Sequence, residues 1–517
     1  MKRVVLVLVL MLMCSVAQAA PTVWMASPLD TIFQNTTPGI LVSYSVDAAQ
    51  GEYESVQIGL RFSTSGTTSV KVDDAAGLVL TGALEGYVYV KTGSAQNTWY
   101  LNRGRGPGWY PDPLTPYSWG TPITLSAGVN QPVWVNVYVP RGTTPGLKVV
   151  RLTAGSTPLR IDVTVHNVVL PVQPSLDSAM LLWNVRYSKA AEQLLLEHRL
   201  QAEYINPPSL TGQSVVGVGF WMGVNSNATE ATRAVPTDTE AKVAAGKYPG
   251  LRPHAYVLDE SPKPTAAVLA KLIATYQVLK RNGILTLETV PPGRGWEGSV
   301  GIGVTMSQQP MWSESSGVVP WFYWTLNQDR GSPKNFIDML PINLRHLTGY
   351  VIATKGYKGA LYWALDKWGP DPWHVAEGSM GATYPGEGVL IYKTSSGALV
   401  SCIRLEMMRD GAEDFDMWTL AVVAGKRDQA MAIVQPVVGV DWNTWTRSTT
   451  TMVNAHSAML DLMSPPPPVP FWNVSMERLD TATALIQAPT AEEAIDKALE
   501  NPTWVLGLPT ATAVEVN

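Results

Sequence analysis

His254-Ala-Tyr-Val-Leu-Asp-Glu260 is the stretch that decides the reading of this chain. An apolar run ends in two adjacent carboxylates, and a helical pattern starts at once. Val268, Leu269, Leu272, Ile273, Tyr276 and Leu279 fall at helical spacing, the stripe of a helix that buries one face. Ser261 reads as its cap, Pro262 and Pro264 suit its first turn, and Gly283 suits its exit. The alternation recurs on both sides. Residues 180–183, 202–205 and 215–221 are earlier strand candidates, with a helical stretch over 188–198; residues 284–287, 318–325 and 359–364 are later ones. Strands that alternate with helices imply parallel strands. About 250 residues of this pattern predict a (β/α)8 TIM-type barrel over 173–430, although seven strands rather than eight are legible. Barrels keep their chemistry at the C-terminal ends of the strands, where Asp259 and Glu260 would stand.

The flanks read differently. Over 21–172 short alternating runs recur at 53–62, 86–91, 132–139, 148–153 and 159–165, separated by Gly, Pro, Asn and Ser. That spacing predicts an antiparallel β-sandwich. Leu170-Pro-Val-Gln-Pro-Ser175 is a stiff exit from it. Beyond Cys402 the pattern turns helical, over 403–423 and 442–462. The segment 431–517 reads as a C-terminal helical appendage with a Pro-rich spacer, Ser464-Pro-Pro-Pro-Pro468, and a last helix over 475–499.

Composition narrows the function classes. Lys2 and Arg3, an apolar run over 4–13, and Ala17-Gln-Ala19 form the pattern of a secretory signal over 1–20, so a secreted or periplasmic protein is expected. That run is too short for a membrane span, and no later one is long enough. Loss of Cys14 with the signal leaves Cys402 alone, which rules out an internal disulfide and reads as a small buried apolar residue. Formal net charge is −5, from 37 basic and 42 acidic residues. No basic run appears, which argues against a nucleic-acid partner. There are 19 Trp against 7 Phe. Trp offers a flat apolar face and one N–H donor, which suits sugar rings; core filling would account for the same excess.

Several motifs extend the reading. Gly51-Glu-Tyr-Glu-Ser-Val-Gln57, Gly108-Trp-Tyr-Pro-Asp-Pro-Leu114, Val318-Val-Pro-Trp-Phe-Tyr-Trp324, Gly359-Ala-Leu-Tyr-Trp-Ala364, Asp371-Pro-Trp373 and Ser401-Cys-Ile-Arg-Leu-Glu-Met-Met-Arg-Asp-Gly-Ala-Glu-Asp414 succeed one another in order. Together they resemble the glycoside hydrolase family 123-like proteins, also known as the DUF4091 group, over roughly residues 30 to 430. The resemblance implies a β-sandwich before a catalytic barrel, and β-N-acetylgalactosaminidase-type activity in which the substrate's own acetamido group gives retention. It also implies that Asp259 orients the acetamido group and that Glu260 is the acid/base. The family pattern is Asp-Glu-Pro, whereas this chain has Asp259-Glu-Ser-Pro262.

The chemistry can be argued from the residues. Two-carboxylate glycosidases flank the scissile bond with their acids. Sequence neighbours at one strand end that both reach the mouth stand on the same side of the substrate. A third group must then attack, and an intramolecular acetamido oxygen has a very high effective concentration. Asp259 would accept the acetamido N–H; Glu260 would donate a proton and later activate water. Glu288, at the end of the next strand, is the rival, as nucleophile of an ordinary two-carboxylate enzyme on a sugar without an acetamido group. A non-catalytic carbohydrate-binding protein is a further alternative. Trp183, Trp221, Tyr323, Trp324, Trp363 and Trp368 are the candidate sugar contacts, with packing as the competing role of each. Asn184, Asn206 and Asn327 could hold hydroxyls or cap loops. Asp366, Asp371 and His374 match no metal-ligand spacing, so no metal and no cofactor is expected. A glycan is the expected partner.

Overall fold

The computed structural model describes residues 20–96, 104–205, 212–224, 230–261, 263–326, 328, 330–369, 373, 383–464, 471–476, 482–487 and 511–516. The signal segment, Asn206, Pro262, Asn327, Asp371, His374 and most of the Pro spacer lie outside the described residues. The chain forms two units, Met1–Met463 and Ser464–Asn517.

The first unit opens with β1 (Thr22–Ala26), β2 (Ser43–Gln50), β3 (Tyr53–Arg61), β4 (Gly66–Thr68), β5 (Val70–Asp74), β6 (Val79–Val90), β7 (Gly108–Tyr117), β8 (Ile123–Leu125), β9 (Asn130–Tyr138), β10 (Gly146–Ala154) and β11 (Thr157–Val169). They form a five-stranded sheet, β1-β3-β9-β6-β7, a four-stranded sheet, β2-β11-β10-β5, and the small pair β4-β8. Alternate residues of a strand point to one face. Val56, Ile58 and Val135 of the first sheet therefore meet Val150, Ile161 and Val163 of the second in one buried core. The second sheet is mixed rather than antiparallel, because β2 runs parallel to β11.

Next come β12 (Asp177–Met180), β13 (Val215–Gly217), β14 (Arg252–Leu258), β15 (Leu285–Glu288), β16 (Ile302–Thr305), β17 (Val319–Tyr323) and β18 (Gly359–Tyr362). All pair in parallel, in the order β12-β18-β17-β16-β15-β14-β13. The sheet curls into a nearly closed barrel. Residues 201–203 span the gap: Met180 N donates to Gln201 O at 3.0 Å, Glu203 N to Met180 O at 3.0 Å, and Gly217 N to Glu203 O at 2.7 Å. A single bridge at Ala202 thus takes the eighth position, where a full strand is expected.

The strand missing from the sequence reading is β16. Its interior Gly303 lies flat under Trp312; a Cβ there would stand 2.1 Å from the indole Cδ1. Glycine inside a strand weakens its pattern while allowing this close approach.

Helices α1 (Lys189–Glu197), α2 (Asp238–Gly246), α3 (Ala266–Arg281), α4 (Ile342–Thr348), α5 (Tyr350–Lys355), α6 (Ile403–Val423), α7 (Arg427–Val438) and α8 (Thr449–Met463) complete the unit, with a short hairpin of β19 (Tyr392–Lys393) and β20 (Leu399–Val400). Thr265, not Ser261, caps α3: its Oγ1 accepts from Val268 N at 3.3 Å. Pro264 accounts for the later start, since a residue before proline avoids the helical region. No helix among the described residues is long and apolar enough to cross a membrane.

Almost every residue of α6 from Ile403 to Trp418 is buried, charged ones included. Arg404 grips Asp112 through Nε at 3.0 Å and Nη2 at 2.9 Å. Arg345 grips Asp414 at 2.7 and 2.8 Å, and Arg409 binds Glu406 at 2.5 Å. Glu413 Oε1 accepts from Tyr53 N at 3.1 Å. The motif segments around residues 52, 112 and 404–414 therefore meet at one junction, and buried charge pairing accounts for the residue types found there.

The second unit holds β21 (Phe471–Met476), β22 (Ala482–Gln487) and β23 (Ala511–Val516), an antiparallel sheet in the order β22-β21-β23. This corrects the helix expected over 475–499: its described residues are strand. β21 is paired along its whole length on both sides, and such pairing overrides a weak local helix propensity.

Candidate active site

Residues that face the barrel interior include Val215, Tyr256, Leu287, Val304, Trp321 and Tyr323, which form one buried cluster. Regular alternation along β14 would turn Asp259 away from this interior. The register of β14 against β15 shifts between Tyr256 and Leu258, and both Val257 and Leu258 pack into the outer core. A bulge of this kind re-aims the side chains beyond it. Asp259 consequently returns to the side of Tyr256, whose Oη donates to Asp259 Oδ1 at 2.7 Å.

Glu260 reaches the same mouth by a different device. Its φ is +43°, a left-handed conformation that costs a non-glycine residue roughly 1–2 kcal/mol. Thr289, just after β15, holds it there: Glu260 N donates to Thr289 Oγ1 at 2.7 Å, and Thr289 Oγ1 donates to Asp259 Oδ1 at 2.9 Å. One hydroxyl is used as donor and acceptor at once. The Glu260 carboxyl then meets β17, where Tyr323 Oη donates to Glu260 Oε1 at 2.9 Å.

Partial removal from water raises the Glu260 pKa; the Tyr323 hydroxyl opposes the rise, and the Asp259 charge adds to it. Burial likewise pushes the Tyr256 and Tyr323 phenols upward, so both stay protonated as donors. The arrangement is a carboxyl able to hold a proton beside a second carboxylate anchored by two neutral hydroxyls, the division of labour that acid/base chemistry requires.

Two sequence candidates are corrected. Glu288 is fully buried on the outer side of the sheet, opposite in phase to the inward Leu287. Burial behind the barrel wall raises its pKa well above the usual carboxylate value. Trp324 also alternates outward; it is fully buried and stacked on Tyr362 with ring centres 5.0 Å apart.

The remaining aromatics divide. Trp221 stays exposed and meets Tyr256 edge-to-face at 5.8 Å. Trp183 is exposed, its Nε1 donates to Trp363 O at 2.8 Å, and the Lys367 ammonium lies 4.0 Å over its ring. Trp363 Nε1 donates to Glu387 Oε1 at 2.8 Å, and Trp368 Nε1 to Ile391 O at 2.7 Å; both are half-buried against the core. Asp366 is a loop fastener, accepting from Trp183 N and Val185 N at 2.7 Å each, while Asn184 Nδ2 donates to its carbonyl at 2.5 Å.

Tyr256 and Thr289 went unnoticed in the sequence. Tyr256 sits three residues before Asp259, a spacing that points inward only once the bulge is known. Thr289 carries no signal beyond its place at a strand end.

The family model of the glycoside hydrolase 123 catalytic domain matches residues 299–421. That stretch holds β16 to β18 and most of α6; Asp259 and Glu260 precede it. No curated protein matches the chain. Among solved structures, a family 123 glycoside hydrolase from Clostridium perfringens, described for glycolipid glycan hydrolysis, is 10% identical, with 86% of this chain and 97% of that chain covered and a TM-score of 0.58. A GH2 β-galacturonidase from Eisenbergiella tayi is 9% identical over 70% of this chain and 69% of its own, with a TM-score of 0.29, and carries no argument. The likeness to the Clostridium perfringens structure is one of fold, and the family match bears on the later barrel strands. Together they show a chain similar to the glycoside hydrolase 123 catalytic domain over residues 299–421 and similar in fold to the family 123 enzyme from Clostridium perfringens.

Proposed function

We propose that the chain is a secreted or periplasmic glycosidase that removes β-linked N-acetylhexosamine, with N-acetylgalactosamine the favoured sugar, by a retaining mechanism assisted by the substrate. The observation that carries this reading is the shared placement of Asp259 and Glu260 on hydroxyl donors at one barrel mouth. Glu288 faces away from that mouth, so the acid of the neighbouring strand is not available as an opposed nucleophile.

Glu260 gives its proton to the glycosidic oxygen as the bond to the anomeric carbon breaks. The acetamido carbonyl oxygen bonds to that carbon from the opposite face. Asp259 accepts the acetamido N–H and offsets the positive charge of the ring so formed. Water then attacks the anomeric carbon, Glu260 takes its proton, and the acetamido group is released with retained configuration. The exposed Trp221 offers a flat apolar surface beside the pair for a sugar ring.

The test is hydrolysis of an aryl N-acetyl-β-galactosaminide and of a glycolipid glycan that ends in the same sugar. Glu260→Gln is expected to lower kcat by about 10²–10⁴, and Asp259→Asn to abolish sensitivity to a thiazoline inhibitor along with turnover. Full activity in either variant removes the proposal.

A further inference from the structure

A second cluster lies apart from the acid pair of the barrel. Glu52 immediately precedes β3, Glu54 lies on β3, and His456 comes from α8, about 400 residues later in the chain. One oxygen of each Glu and one imidazole nitrogen stand within 4.8 Å of one another. His456 Nε2 is 3.3 Å from Glu54 Oε1 and 3.6 Å from Glu52 Oε1. This nitrogen makes no hydrogen bond, although the histidine is only 5% exposed.

These separations have a chemical meaning. A charge-assisted N–H···O bond runs at about 2.7–2.9 Å. Two ligands of one tetrahedral ion, each about 2.0–2.2 Å from it, stand about 3.3–3.6 Å apart. The far side of the ring fits as well. Asp414 Oδ1 lies 3.3 Å from Nδ1, the carboxylate–imidazole support that orients metal-binding histidines. Arg345 Nη2 is also 3.3 Å from Nδ1, but its charge is committed to Asp414 through two bonds. In the tautomer that donates Nδ1–H to Asp414 Oδ1, Nε2 presents a lone pair toward two carboxylate oxygens. Three groups that converge in this way need a cation between them, either a proton on Nε2 or a metal ion, and the 3.3 and 3.6 Å separations fit the metal ion. Glu52 is fixed for this, since its Oε2 accepts from Ala49 N at 2.5 Å. A cavity of about 30 Å³ lined by Tyr44, Asp47, Glu54 and His456 adjoins the cluster.

We propose that Glu52, Glu54 and His456 form a divalent-cation site of the Zn²⁺ or Mn²⁺ class, oriented by Asp414, which fastens β3 to α8. The inference is independent of the glycosidase reading. The experiment uses untagged full-length protein, dialysed against Zn²⁺ and then metal-free buffer, with elemental analysis and thermal unfolding before and after EDTA. One equivalent of Zn²⁺ per chain is expected, with a lower Tm after chelation. Glu54→Gln, at the most accessible of the three side chains, and His456→Gln should each weaken Zn²⁺ binding by at least about tenfold. The proposal is overturned if wild-type protein retains no Zn²⁺ and its Tm ignores both Zn²⁺ and EDTA, the result expected of a protonated histidine. It is overturned equally if either variant binds Zn²⁺ as wild type does.

Discussion

The barrel mouth and the α6 junction both gather carboxylates, and they hold them by opposite means. At the junction, guanidinium groups pair with them: Arg404 with Asp112, Arg345 with Asp414 and Arg409 with Glu406. Those acids are buried, and each has a fixed cation at hydrogen-bond distance. At the mouth, Asp259 and Glu260 meet neutral hydroxyls of Tyr256, Thr289 and Tyr323. A fixed positive charge would lock a carboxylate in its ionised form. A hydroxyl aims it and leaves its proton exchangeable. Charge pairing ties the junction together, and hydroxyl pairing holds the acid pair of the mouth without a fixed cation.

The harshest way to break this comparison is at the junction. Arg404→Met strands Asp112 without its cation and should cost about 3–5 kcal/mol, read as a lowered denaturant midpoint. Adding Asp112→Asn should restore most of that loss. A midpoint that stays put in Arg404→Met would deny the junction its structural role.

At the mouth the losses should fall on turnover instead. Thr289→Val removes the hydroxyl that holds both Asp259 and the Glu260 amide, and kcat should drop about tenfold to a hundredfold with little change in Tm. A variant that unfolds rather than slows would blur the distinction between the two regions.

Tyr323→Phe sharpens it further. The phenol stabilises ionised Glu260 and so opposes the upward pKa shift set by burial. Its loss raises that pKa again. In the proposed mechanism Glu260 must be protonated to donate, so the alkaline limb of kcat/KM should move to higher pH by about one unit. A limb that moves down, or not at all, would separate Glu260 from the proton transfer.

Glu288→Gln should change least. Burial holds the Glu288 pKa above its ordinary value in the folded barrel, whereas the unfolded chain ionises it above about 4.3. Its contribution to stability is therefore complete below that value and is lost as the pH climbs toward its raised folded value. Glutamine removes this loss, so the variant should match wild type near pH 4, exceed it in Tm near pH 8, and keep its activity. Lost turnover with Tm unchanged would return Glu288 to the reaction.

Much of this was legible in one dimension. The alternation of apolar runs and amphipathic stripes announces the barrel, and α6 matches its expected range of 403–423 residue for residue. The acid pair stands out because a helix comes after it. What stayed hidden depends on packing between distant residues. β16 was lost because Gly303 serves Trp312 rather than its own strand. The wrong facing of Glu288 and Trp324 could be settled only by knowing which phase of each strand looks inward. Thr289 was invisible, since a lone threonine after a strand resembles any other. The convergence of Glu52 and Glu54 on His456 has no local spacing to betray it.

Thr289 has one more consequence. The same oxygen steadies the Asp259 carboxylate and the Glu260 peptide, so one hydroxyl couples the two neighbours even though Tyr256 and Tyr323 hold their carboxyl groups separately. Any change that shifts the turn after β15 would therefore be felt by both groups at once.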